Sequence, residues 1–433
     1  MKRYINKIPA IFMAFLLLGT AACKKDYKNA GGANANDVLS SSKGLTGVAV
    51  GLHKLYTSSR PGLLYNSITA NGFVTNEVLL MNQGNVPELQ LFTGGIAVDG
   101  TNTILANMWT NASKIIYDAD NVIVNAAQLG DKNYASGLIA YASIFKALAL
   151  GNMSQYWEKI PSGTGKNVTF ITRNEGFVKA IAVLDNALST IQANPISTSF
   201  ASNIPAGIDI ANTIYALKAR YALFAGNYTL ALSAANLVDL TKKSTFNFDV
   251  LTLNPIFEIA TSSNNVFQPT DANLGLTGTN VPNAADKRLT FYTATSSSAP
   301  AVRIGGFGLT STTSYPIYLP GEITLIKAEA LARQATPDLT NALVELNKVI
   351  TKAPSADPFG VGAGLTAIAG PLTQAQLLDE VYKQRCVELY MSGLKIEDMR
   401  RFNRPTSERK RNFFPYPFTE RDNNTNTPAD PAF

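Results

Sequence analysis

The strongest constraint on how this chain can fold lies in two Ala/Leu-rich stretches, each broken once by a short polar turn. In the first, 211–225 runs into Gly226-Asn227-Tyr228 and 228–240 returns; in the second, 322–334 is followed by Thr336-Pro337-Asp338 and then by 339–352. Apolar residues recurring at helical spacing on both arms, with a turn too short to let the arms separate, describe antiparallel helical hairpins. The alanines have a packing reason, because small side chains let two helix backbones approach closely.

The segments LKARYALFAGNYTLALSAAN and LIKAEALARQATPDLTNALVELN are similar to tetratricopeptide units. Their period is not a clean repeat, so unrelated helical hairpins remain the alternative. The same spacing predicts further helices over 48–56, 102–127, 134–153 and 174–191, the last stopped by Asn194-Pro195. A final helix begins at Thr373, where Thr373-Gln374-Ala375-Gln376 has the spacing of a capping box, and ends near Gly393. Between them 57–101, 155–173, 194–208, 244–320 and 353–372 read as irregular polar stretches. The expected fold is therefore mainly α: tetratricopeptide-like hairpins carrying long loops, and loops on a rigid scaffold are where function concentrates.

Composition narrows the chemistry. Only His53, Cys23 and Cys386 offer imidazole or thiolate, which argues against a zinc or iron centre, and no metal or other cofactor is expected. The formal charge is +6, and three of those charges (Lys2, Arg3, Lys7) precede an apolar run from Ile8 to Leu18. That run is too short to cross a hydrocarbon core of ~30 Å, and with Gly19-Thr20-Ala21-Ala22-Cys23 behind it residues 1–22 read as a secretory signal. Removing it leaves about +3, too weak a field for nucleic acid.

The small residues before Cys23 resemble a lipoprotein signal-peptidase site, with Cys23 as the lipidated residue; ordinary cleavage after Ala22 is the alternative. Each buried acyl CH₂ contributes ~0.8 kcal/mol, so two or three chains hold a domain on a membrane. Residues 23–37, polar and Gly/Ala/Asn-rich, read as a flexible tether, and 38–433 as one ligand-binding domain. With Cys23 used in this way, a disulfide to Cys386 is not expected.

Asp286-Lys287-Arg288-Leu289, the helix LPGEITLIKAEALAR and the segment Gln384-Arg385-Cys386-Val387-Glu388-Leu389-Tyr390-Met391-Ser392-Gly393-Leu394-Lys395, followed by Asp398 and Arg401, together resemble the SusD/RagB family. So do Trp109, Tyr117 and Asn121 upstream and the exit from Tyr156 to Pro161. Gln384, Ser392 and Lys395 depart from the family's Glu, Glu and Arg, and the family's C-terminal ending is absent. The resemblance implies a SusD-like α/α superhelix and a non-enzymatic lipoprotein on the outer membrane. Such a protein captures a nutrient, here an oligosaccharide, for a SusC-like TonB-dependent transporter. Lys24-Lys25-Asp26 is similar to tags that export such lipoproteins to the cell surface.

Sugar binding needs flat rings with amide and hydroxyl groups around them. The loops that the resemblance implicates offer Asn82, Gln83, Asn85, Phe92, Phe267, Tyr292, Phe307 and Tyr315. Arg385 and Glu388, three apart, are expected to pair across one turn as part of a structural ion network, and Arg409-Lys410-Arg411 reads as a solvated basic face. No catalytic residues stand out, since no two carboxylates combine with loop aromatics. Two other readings stay open: a surface glycan hydrolase, and a tetratricopeptide-type peptide-binding or adhesion lipoprotein.

Overall fold

The computed structural model describes residues 35–262 and 265–432. Residues 1–22, Cys23 and most of the tether lie outside the described residues. The end of the tether differs from expectation, since a helix Ala35–Leu39 already covers its last positions.

The larger helices are α1 (Ser42–Thr57), α2 (Leu63–Val74), α3 (Val86–Thr93), α4 (Thr103–Ala126), α5 (Lys132–Tyr156) and α6 (Arg173–Ala193). After them come α7 (Ile210–Phe224), α8 (Tyr228–Ala235), α9 (Lys287–Tyr292), α10 (Pro320–Arg333), α11 (Leu339–Thr351), α12 (Gln374–Glu388) and α13 (Lys395–Arg401). In space α4, α5, α6, α7, α8, α10 and α11 pack each against the next, giving the stack of hairpins that the Ala/Leu pattern predicts. Cβ-free positions set the spacing: a Cβ on Gly151 of α5 would lie 2.2 Å from the Tyr221 ring on α7. Local signals close the ends, with capping boxes at Thr172/Glu175 and Thr373/Gln376.

Helix α5 is long and apolar enough to cross a membrane by composition, yet its residues are almost all buried among the other helices. One large apolar core joins α1 to α8 with the loop region, and a smaller one (Leu325, Ala328, Leu346, Val349, Leu377, Val381) fills the space between α10, α11 and α12.

The stretch 57–101, expected to be irregular, holds α2 and α3. Every residue of α2, LLYNSITANGFV, is buried, so no polar face marks it in the sequence. Asn71 ties it to the core: its Nδ2 donates to Glu77 Oε2 at 2.6 Å and its Oδ1 accepts from the Ile396 amide at 2.9 Å.

The strands are short and all pair antiparallel. They are β1 (Val78–Leu80) with β5 (Phe267–Pro269), β2 (Lys159–Pro161) with β3 (Phe170–Thr172), β4 (Thr245–Phe246) with β8 (Tyr315–Pro316), and β6 (Thr293–Thr295) with β7 (Val302–Ile304). Three of the four pairs staple the long middle region to itself or to the scaffold.

A buried ionic network ties this region to the last helices. Arg288 Nη1 meets Glu388 Oε2 at 2.9 Å and its other end clasps Asp286; Lys352 bridges Asp357 at 2.6 Å and Glu388 at 2.9 Å. Burial pulls the Lys352 ammonium down, and the Glu388 and Asp357 carboxylates more than restore it, holding it above its ordinary value. Glu329 receives both Arg333 and Arg401. The expected Arg385–Glu388 pair does not form. Arg385 reaches Asp398 at 2.9 Å while Glu388 is taken by Arg288 and Lys352, because tertiary partners approach with better geometry than a helical neighbour.

The basic run 409–411 is not a solvated face either. Arg411 is buried and bonds the Gly95 and Phe413 carbonyls, and Lys410 lies 4.0 Å over the Phe92 ring. Burial pushes the Lys410 ammonium down to about 8.

Candidate functional site

Where β4 meets β8, the middle region opens into a cleft of about 370 Å³. Phe291, Phe307 and Phe359 form its floor, each half-buried, and Lys243, Thr245, Asn247, Thr313 and Ser314 stand around them. The rings pack edge to face, Phe291 to Phe307 at 5.2 Å and Phe307 to Phe359 at 5.9 Å between centroids. Lys243 Nζ lies 5.5 Å from the Phe359 ring centre.

Each element of the floor is held by the scaffold. Asp286 caps α9 through the Arg288 amide, which brings Phe291 to the cleft, and Tyr292 beside it is anchored by its hydroxyl donating to the Glu388 carbonyl at 2.6 Å. Asn254 Nδ2 donates to the carbonyls of Phe307 at 2.8 Å and Thr313 at 2.7 Å, closing the loop that carries Phe307. Gly306 has φ +51°, and a Cβ there would lie 2.8 Å from the Phe291 ring, so glycine lets that ring lie against the backbone. Asp357, fixed by Lys352, accepts the Phe359 amide at 2.8 Å and so orients the third ring.

The cleft therefore offers apolar ring faces with amide, hydroxyl and ammonium groups at the edge, and its lining carries no carboxylate. Rings so arranged suit the CH faces of a sugar, and the rim suits its hydroxyls. General acid–base hydrolysis needs a pair of carboxyl groups, which this lining does not supply. Among the described residues no group of three His, Cys, Asp or Glu side chains is placed to hold a metal ion.

Of the eight residues singled out from the sequence, Phe307 alone lines this cleft. Tyr292 and Tyr315 turn inward; both are buried, and with Phe307 they line an internal cavity of about 60 Å³, the Tyr315 hydroxyl donating to the Met391 carbonyl. Phe267 is fully buried in β5 against Tyr65 and Phe73. As exposed sugar platforms these three are corrected: the middle region folds back on the scaffold, and its largest rings supply the core that holds it there.

Asn82 and Gln83 are exposed on the turn before α3, where Asn82 Oδ1 accepts the Gly84 amide at 3.0 Å. Asn85 takes a bond from Arg60, which also engages the Glu88 carboxylate, and Phe92 lies beneath Lys410. These four gather at α3, apart from the aromatic cleft. Trp109 and Trp157 are both buried. Sequence reasoning missed Phe291, Phe359 and Asn247. One signal was present, the ring-then-glycine step in loop context shared by Gly306-Phe307-Gly308 and Pro358-Phe359-Gly360.

No family model and no curated protein matches the sequence. Solved structures do. A SusD superfamily protein from Parabacteroides distasonis is 16% identical with a TM-score of 0.69, covering 90% of this chain and 98% of its own. A SusD-like carbohydrate binding protein from Bacteroides fragilis is 13% identical with a TM-score of 0.66, covering 84% of this chain and 87% of its own. A laminarin binding SusD-like protein is 13% identical with a TM-score of 0.61, covering 90% and 99%. The fold of this chain is that of the SusD superfamily structures.

Proposed function

We propose that this chain binds an oligosaccharide in the aromatic cleft without transforming it. We further propose that the chain is held on the outer membrane through a lipid on Cys23 and delivers the cargo to a SusC-like TonB-dependent transporter. The observation that carries the binding reading is the three-phenylalanine floor with a carboxylate-free polar rim, on a fold whose solved neighbours include proteins named as binding carbohydrate. The tether and the transporter rest on the resemblance of the N-terminus and of the C-terminal motifs.

Affinity of micromolar to millimolar order, about 4–8 kcal/mol, suffices for a capture protein. Titration of the purified mature chain against a panel of neutral oligosaccharides, laminarin among them, tests the reading. Binding is expected with no product released, and Phe359→Ala and Asn247→Ala should each weaken it about tenfold with unchanged circular dichroism. Unaltered affinity in both variants would remove the cleft from the account, and released sugar would favour the hydrolase. Mass spectrometry of Cys23 and co-purification of a β-barrel test the anchor and the transporter separately.

A further inference from the structure

A second cleft, of about 390 Å³, opens between α4, α5 and the β2–β3 hairpin, and it shares no lining residue with the aromatic one. We propose that it is a binding site for a sugar residue bearing an anionic group, a carboxylate or a sulfate ester, with Tyr117 as the platform and Lys146 and Lys179 as the anion's partners. It stands whether or not the aromatic cleft takes a glycan.

Lys114, Lys146 and Lys179 line the cleft together with Asp120 and Glu420. Lys114 is held by Asp118 at 2.6 Å and Lys146 by Asp120. Glu420 is engaged by the Trp109 indole N–H and by Asn424 Nδ2, both at 2.9 Å. Lys179 is left with a neutral partner, the Ser162 carbonyl, and among the described residues no carboxylate lies within ion-pair distance of it. Burial first, and then the nearby Lys146 ammonium, hold Lys179 below its ordinary value, with Asp120 opposing. An anion seated between the two ammonium groups turns this repulsion into attraction.

The aromatic component is independent of the charge. Tyr117 is 55% exposed on α4, three residues from both Lys114 and Asp120, so ring, amine and acid share one face of the helix. Apolar Ile116, Leu150 and Met153 make the floor, and the turn Gly163-Thr164-Gly165 borders it. A ring beside two ammonium groups, above an apolar floor, is suited to a charged pyranose more than to a free inorganic anion.

Calorimetric titration of the full mature chain with methyl β-glucuronide, methyl β-glucoside and sodium sulfate, at constant ionic strength, tests the proposal. The glucuronide should bind at least tenfold more tightly than the glucoside. Lys179→Met should abolish that preference, Lys179→Arg should keep it, and Tyr117→Ala should weaken the glucuronide several-fold. Equal affinity for glucuronide and glucoside, or a preference that survives Lys179→Met, overturns the site. Sulfate competing as well as the glucuronide, with Tyr117→Ala silent, overturns the sugar and leaves only an anion.

Discussion

Arg385 donates from Nε to Asp398 Oδ2 at 2.9 Å, linking α12 to α13, and Asp398 Oδ1 accepts from Arg401 at 2.8 Å. One buried carboxylate thus faces the buried guanidinium of Arg385 and the part-buried one of Arg401, and the terminal nitrogens of Arg385 have no protein acceptor. Removing that charge leaves Arg385 uncompensated, whereas Arg401 keeps Glu329. Asp398→Asn should therefore cost about 3–5 kcal/mol in urea unfolding, the range for breaking a buried pair. A loss below about 1 kcal/mol would show that the pair is dispensable.

His53 is buried edge-on between Phe145 and Phe246, and its Nε2 meets no partner. Burial, and secondarily Lys54, push its imidazolium down to about 4 from 6.5. Between those values the unfolded chain takes a proton that the folded chain refuses. Its contribution is complete above pH 6.5 and is lost as pH falls towards 4, about 3 kcal/mol across the full range. Stability measured from pH 7 to 5 should fall less steeply in His53→Gln than in the parent. Parallel curves would mean that His53 protonates freely in the folded chain.

Gly151 of α5 faces the Tyr221 ring of α7 with no room for a Cβ. Gly151→Ala should destabilise by about 1–3 kcal/mol, the usual cost of overpacking, since its Cβ would fall 2.2 Å from the Tyr221 ring. In a Tyr221→Ala background the same change should cost much less. An equal cost in both backgrounds would place the conflict elsewhere.

Cys386 is a free thiol buried in α12, and burial pushes it up to about 12. In a Cys23→Ser chain, a disulfide reagent at pH 8 should label nothing within minutes and one thiol once urea unfolds the protein. Fast labelling of the native chain would mean that α12 opens readily.

Legibility in the sequence followed the geometry of burial. Helices α4 and α6 bury one stripe and expose the other, so their spacing marks them in the chain, and the two capping boxes mark where α6 and α12 begin. Helix α2 buries every residue, polar ones included, and leaves no contrast to read. The same limit applies to the rings of the middle region: Phe267 and Phe359 both sit in polar loop sequence, and one is sealed in the core while the other floors a cleft.

From its residues alone this chain was committed to paired helices with a long middle region, because side-chain periodicity is a local property. Which carboxylate Arg385 meets, which phenylalanines face outward and which lysine is left with only a carbonyl were decided by tertiary structure. Burial and ion pairing depend on distances between segments remote in sequence, and no local pattern encodes those distances.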